Sequence, residues 1–332
     1  MSNTPPSETP TIEQQANNNA KQIGQVIGNV TIYESNPIPN ESSCKKGNDQ
    51  FIPDYLCYLP DRNAQREKLC KAIKEHERIA KHRPLLCLIY GETQEEHYSF
   101  KDCFVEAALP TISEISNFYH NDGQNNVKQK RIFAVPKNIE GLHNTILDEL
   151  GKYFFVDSDK NAIAKQLFKE KRPIILCIDI FIESYQDQND LIKQGIFEFW
   201  ENWPDPDKGK QHYRLIVFLL FRYPNQENKW LNLLKPLNRL QRKLTQAFNQ
   251  LENQDLSTFL SQSKVGAVVL PELRPIEKAA AIEWFNDCQK YVVNAHIDRA
   301  ITKIEDFYKN YPKGAPMKDL AETLTKIVNE IR

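Results

Sequence analysis

The sequence predicts an α/β fold in which a parallel sheet is covered by helices on both faces, giving three layers. Short, continuously apolar runs recur along the chain, as strands buried on both faces require. Helical spacing lies between successive runs, and parallel neighbours can be joined only by such crossovers. Each run also stops at a turn-forming or charged residue, so the strand ends are marked.

The first helix is expected from Asp61, as its cap, to Lys81, with Leu69, Ala72, Ile73 and Ala80 near helical spacing. The first strand follows as Pro84 to Tyr90 and ends at Gly91. A second runs from Arg131 to Val135; after Pro136, Ile139, Leu142, Ile146, Leu147 and Leu150 mark one helix face. Further strands are expected at Pro173 to Ile178 ending at Asp179, at Leu215 to Phe221 ending at Arg222, and at Val265 to Leu270 ending at Pro271. Beyond Pro271 the pattern is helical to Tyr311, breaks at Pro312 to Pro316 and resumes from Met317 to Arg332, where Leu320, Leu324 and Ile327 form an apolar stripe. That end is a helical appendage. The expected division is a tail over 1–50, an α/β domain over 51–311 and a C-terminal helix over 312–332.

The first fifty residues are rich in Asn, Ser, Pro, Gln and Thr and bury too little apolar surface to offset the entropy of ordering, so a disordered tail is expected. Within it, Gln22 to Tyr33 clusters β-branched residues punctuated by Gly24 and Gly28. An uncharged β-prone segment of this kind can stack in register as a homotypic adhesive strand, and it loosely resembles bacterial amyloid signalling motifs. An edge strand on its own domain, or a plain linker, fits the same composition.

Lys plus Arg number 43 and Asp plus Glu 44, so the overall balance demands no polyanionic partner. Basic runs at Lys165 to Arg172 and Arg239 to Lys243 follow helical spacing without interleaved aromatics, and read as solvated helix faces. A nucleic-acid partner is not expected. The seven cysteines, Cys44, Cys57, Cys70, Cys87, Cys103, Cys177 and Cys288, are odd in number and widely spaced, which suits packed thiols in a reducing cytoplasm. No apolar stretch has the length of a membrane span and the N-terminus lacks a signal core, so a cytoplasmic location and no membrane partner are expected.

In open α/β sheets ligands bind beyond the carboxyl ends of the strands, which puts the turns after Tyr90, Asp179 and Arg222 under scrutiny. A phosphate-binding loop of the form G-x-x-x-x-G-K-[ST] wraps amides around phosphate, neutralises charge with Lys and holds magnesium through its hydroxyl. Here the segment reads Gly91-Glu92-Thr93-Gln94-Glu95-Glu96-His97-Tyr98. Gly91 remains, but Glu96 stands in the glycine place, His97 in the lysine place and Tyr98 in the hydroxyl place. Glu92, Glu95 and Glu96 would also repel a polyphosphate. A displaced site using Ser99 for the hydroxyl and Lys101 for the cation is conceivable, although both would ride on the following helix. Asp179 lies where a magnesium-associated aspartate would, with Ile180 in place of a water-positioning Glu. More simply, Asp179 caps a turn and Arg222 is a solvated charge at a strand end.

This order of elements resembles the inactive STAND domains of bacterial, especially cyanobacterial, conflict systems. The resemblance rests on Leu59 to Gln65 before the first helix, on Leu85 to Gly91 before the altered loop, and on Leu270 to Ile276 followed by Trp284. It covers roughly Tyr55 to Trp284. It implies a P-loop NTPase-like scaffold that has lost its chemistry and is kept for protein contacts beside an effector or adaptor. No cofactor, metal or catalytic residue is then expected, and Gly91, Glu96, His97, Tyr98, Asp179 and Arg222 are vestigial nucleotide-site positions.

Other chemistries find little support. His76 and His82 are six apart rather than four, so both are expected at the surface. No C-x-x-C pair, Gly-x-Ser-x-Gly elbow or dinucleotide fingerprint occurs. An ATP-binding switch with a non-standard loop remains an alternative, as does a metal-dependent nuclease built on Asp179 and Glu183. Trp200, Trp203 and Trp230 could form a partner face, although large aromatics at this spacing more often sit in a core.

Overall fold

The computed structural model describes residues 60–116, 118, 127–134, 138–170, 172–181, 191–204, 214–223, 246, 248, 263–287 and 297–330. The tail over 1–50, its Gln22 to Tyr33 segment, Arg239 to Lys243, Trp230, Glu183 and the cysteines Cys44, Cys57 and Cys288 lie outside the described residues.

Helix α1 (Asn63–Ile79) leads into strand β1 (Leu85–Glu92). A 3-10 turn (Thr93–Glu95) and helix α2 (His97–Cys103) follow, continuing through a π-helical turn (Phe104–Ala108) to the short helix α3 (Ser113–Ser116). Strand β2 (Lys128–Ala134), helices α4 (Ile139–Phe154) and α5 (Lys160–Lys169) and strand β3 (Ile174–Phe181) form the next crossover unit. A π-helical segment (Leu191–Glu198) and α6 (Phe199–Glu201) lie between β3 and β4 (Leu215–Tyr223), and β5 (Gly266–Val269) completes the sheet. Helices α7 (Lys278–Asp287), α8 (Ile297–Tyr308) and α9 (Met317–Glu330) form the appendage.

All pairings are parallel and the strand order is β2-β3-β4-β1-β5. The three-layer α/β reading is met. Alternating side chains of the central strands enter two cores. Leu85, Cys87 and Ile89 face α1 and α2, packing with Leu69, Ile73, Phe100 and Phe104. Leu86, Leu88 and Tyr90 face α4, α5 and the π-helical segment, packing with Leu142, Ile146 and Leu167. Trp200 and Trp203 belong to this second core, at 1% and 4% exposure, so they anchor the fold rather than a partner face.

A third core draws Ile276, Trp284, Phe285, Ala300, Ile304, Tyr308, Met317, Leu324 and Val328 together. The last helix therefore shares its interior with α7 and α8. A two-residue antiparallel bridge between Ile276 and Ala315 closes this unit, with Tyr308 donating to the Ile276 carbonyl at 3.0 Å.

Two local expectations fail for identifiable reasons. Asp61 does not cap α1: it adopts left-handed backbone, and Arg62 takes the cap position without a side-chain bond to the helix because its guanidinium turns inward. His76 is not at the surface. It is 2% exposed on the inner face of α1 against Gly266, where an added Cβ would come within 2.8 Å of the imidazole. Burial pushes its pKa down to about 4, with the charges of His82 and Arg83 adding to the shift. His82 is half-buried.

Candidate functional site

At the carboxyl end of β1 the chain makes the sharp reversal that a phosphate-binding loop requires, without that loop's residues. Glu96, in the glycine place, has φ 52° and ψ 49°. A residue with a Cβ holds this left-handed conformation at a cost of roughly 1–2 kcal/mol. The backbone demand has outlived the glycine that met it cheaply. The Glu96 carbonyl accepts from the Phe100 amide at 3.0 Å, starting α2, and its carboxylate accepts from the Ser99 hydroxyl at 3.2 Å.

His97, in the lysine place, is 1% exposed, and neither ring nitrogen has a well-formed hydrogen bond. Burial drives its pKa well below the usual value, and the charges of Arg222 and Arg62 press the same way. A neutral imidazole therefore stands where a phosphate loop needs a cation, against the open face of Gly91. A Cβ on Gly91 would lie 3.3 Å from its Nε2 and only 2.5 Å from the Leu273 carbonyl oxygen. Gly91 is thus required by close packing. The segment after β5 crosses directly over it, the Leu273 amide donating to the Tyr90 carbonyl at 2.9 Å.

Asp179 is not at a strand end and caps no turn. It lies within β3, is fully buried, accepts from Arg131 Nε at 2.7 Å on β2, and pairs with Arg222 Nη2 on β4. The strand register sets it beside Phe133 on one side and Leu220 on the other. Both carboxylate oxygens are engaged by guanidinium, so the position of the magnesium-associated acid is neutralised from either flank. The solvated reading of Arg222 is corrected in the same way: its charge is spent on Asp179.

Arg62 and Glu95 form a second buried pair at 2.8 Å, with side-chain exposures of 2% and 0%. Arg62 also donates to the Arg274 carbonyl at 3.1 Å, tying the chain before α1 to the segment after β5. Burial raises the Glu95 carboxyl to about 7, opposed by Arg62 and by the backbone amide of Met317 at the start of α9. Burial likewise lowers Arg62, with Glu95 opposing. Glu95 does not project into a phosphate space, as the sequence reading had it; it faces inward and joins the loop to the appendage.

Tyr98, in the hydroxyl place, is half-buried and carries the Arg131 guanidinium 3.7 Å from its ring centroid and the Lys101 ammonium at 4.3 Å. Lys101 is 2% exposed and bonded to Asp102 and to Gln129, the latter at 3.2 Å. Ser99 is bonded to Glu96 and Lys101 to Asp102 and Gln129, so both members of the displaced site are engaged within the chain. Arg131 and Arg62 were missed from sequence. Arg131 shows in the sequence only as the charged residue that opens the second apolar run, and Arg62 has no spacing signal at all. Among the described residues, no group of three His, Cys, Asp or Glu is placed to hold a metal ion.

Residues 57–221 match a family model described as inactive STAND. No curated protein matches the chain. Among solved structures, the chain is similar to the ORC2 protein of Aeropyrum pernix in its complexes with ADPNP and ADP, at 12% identity over 82% of this chain and 68% of that one, with a TM-score of 0.36. The ADP form of that protein matches at 13% identity over 85% and 71%, with a TM-score of 0.35. Among the described residues, no helix is long and apolar enough to cross a membrane.

Proposed function

Since the α/β body of this chain, residues 57–221, belongs to the inactive STAND family, we propose that the protein is a non-catalytic interaction module of a bacterial defence or signal-transduction system, acting in the cytoplasm on an effector or adaptor protein. The observation that carries this reading is the enclosure of Asp179 between Arg131 and Arg222, beside a neutral His97. Each group that would meet nucleotide or magnesium is turned onto another part of the chain. Loss of nucleotide leaves the scaffold with surfaces and no reaction.

The former phosphate position serves instead as a joint. Arg62, Glu95, Arg274 and Met317 meet there, so the appendage rests on the altered loop through side chains of the protein itself. The β-prone segment Gln22 to Tyr33 supplies a route to self-association through main-chain pairing. Deleting residues 1–50 should reduce the mass in light scattering and abolish a thioflavin signal; an unchanged mass removes the segment from the proposal.

Titration calorimetry with magnesium ATP tests the central claim. No heat of binding is expected at protein concentrations of tens of micromolar. Saturable binding lost in Gly91→Asp, or turnover lost in Asp179→Ala, overturns it in favour of a switch ATPase.

A further inference from the structure

The sheet ends at β2: in the order β2-β3-β4-β1-β5, no strand or bridge among the described residues lies beyond it. The Lys128 amide donates to the Pro173 carbonyl at 3.0 Å, on the β3 side. Main-chain groups alternate in direction along a strand, so those of Lys130 and Ile132 also turn toward β3, and those of Gln129 and Phe133 turn away from the sheet. β2 is seven residues long, whereas β5 at the opposite edge has four, so β2 offers the longer template for a further strand.

Edges of this kind are commonly guarded by cations that discourage pairing. The three cations of β2 are already engaged within the chain: Lys128 pairs with Glu170, Lys130 meets Glu149 at 3.1 Å, and Arg131 meets Asp179 at 2.7 Å. The edge is therefore electrically quiet and suits an uncharged partner. Its two faces differ. Lys130, Ile132 and Ala134 are buried on the α4 face, where the half-buried Tyr153 ring has its centroid 5.8 Å from the Lys130 ammonium. On the α2 face, Phe133 is half-buried with the Arg131 guanidinium 4.2 Å from its ring centroid.

One segment of the chain has the matching pattern. Gln22 to Tyr33 carries no charge, and its last residues alternate, with Val30 and Ile32 on one side and Asn29, Thr31 and Tyr33 on the other. Laid along β2, Val30 and Ile32 continue the apolar α4 face, and Thr31 and Tyr33 continue the mixed face of Arg131 and Phe133. The connection reaches. The chain enters the described body at Pro60, and Arg62 is bonded to Glu95 just beyond β1, three strand spacings or about 14 Å from β2. Residues 34–59, as a flexible chain, span roughly 25–30 Å on average, which places the segment at millimolar effective concentration around that edge.

We propose that Gln22 to Tyr33 docks on the outer edge of β2 as a sixth strand of its own sheet. Docked, it commits to β2 the main-chain groups that stacking between copies would use, so self-association through this segment requires its release. This rests on the reading of the segment as a pairing strand and adds what holds it in the single chain.

Hydrogen–deuterium exchange of the full chain, followed on peptides spanning Gln22 to Tyr33 and Lys128 to Ala134, tests the proposal. The tail segment should exchange at least about tenfold more slowly than an unstructured chain, and equally so at about 1 and about 50 micromolar protein, because the tether outcompetes other copies. Val30→Pro with Ile32→Pro should restore fast exchange in the tail and speed exchange of the outward amides of β2 by at least about tenfold. Slow tail exchange that appears only at the higher concentration, together with a thioflavin signal, overturns docking and leaves stacking between copies in place. Fast tail exchange at both concentrations overturns docking and the pairing reading together. Exchange in β2 that is indifferent to the proline substitutions also overturns the proposal, since another segment or a second copy then covers that edge.

Discussion

Arg62→Met and Glu95→Leu, made singly and together, test whether the altered loop is held by one buried ion pair. Each single change leaves the other charge buried alone, which costs about 3–5 kcal/mol. Arg62→Met also orphans the Arg274 carbonyl, adding about 1 kcal/mol. The double change replaces both charges by apolar side chains of similar length in a water-free place, and such exchanges are close to neutral. Urea denaturation should therefore give a double variant within about 2 kcal/mol of the parent and far short of the summed single losses, a coupling of several kcal/mol. The pH sharpens the test. Glu95 already titrates near 7 with Arg62 present, so without Arg62 it remains protonated to higher pH, and Arg62→Met should be milder at pH 6 than at pH 8. Additive losses, or losses independent of pH, would refute the buried-pair account.

Two further outcomes are expected. Burial holds the folded pKa of His76 at about 4, below the ordinary 6.5, so its contribution is complete above pH 6.5 and lost as pH falls toward 4, amounting to about 3 kcal/mol. His97 acts in the same direction and Glu95, raised, in the opposite one between about 7 and 4.5; His76→Gln should flatten the pH dependence of the urea midpoint below 6.5. Gly91→Ala drives a methyl to 2.5 Å from the Leu273 carbonyl oxygen and should cost about 1–3 kcal/mol, read as a drop of several degrees in melting temperature; an unchanged melting temperature would mean that the Leu273 segment is not packed there.

The strands and their parallel packing were legible because runs such as Leu85 to Tyr90 and Leu215 to Phe221 are apolar on both faces, which only a covered sheet accommodates. The altered loop was legible because glycine, lysine and hydroxyl occupy fixed positions, and substitutions there can be read one by one. What the sequence hid is long-range. Arg131 and Arg222 reach Asp179 from separate strands, and Arg62 reaches Glu95 across a whole helix and strand. No local spacing announces such partners. His76 was misread because a histidine on a helix gives no sign of which face is inward until the glycine at 266 makes room for it.

The Arg131–Asp179–Arg222 clamp bears on how readily this lineage could go back. Asp179 now helps to fasten three neighbouring strands, and freeing it for magnesium would strand two guanidinium groups in a nearly dry interior. Restoring glycine, lysine and hydroxyl at positions 96 to 98 would still leave Leu273 across Gly91 and His97's former space to be reshaped. The clamp thus acts as a ratchet: once the acid had been recruited to hold the sheet together, selection for stability alone would keep the ancestral chemistry out of reach.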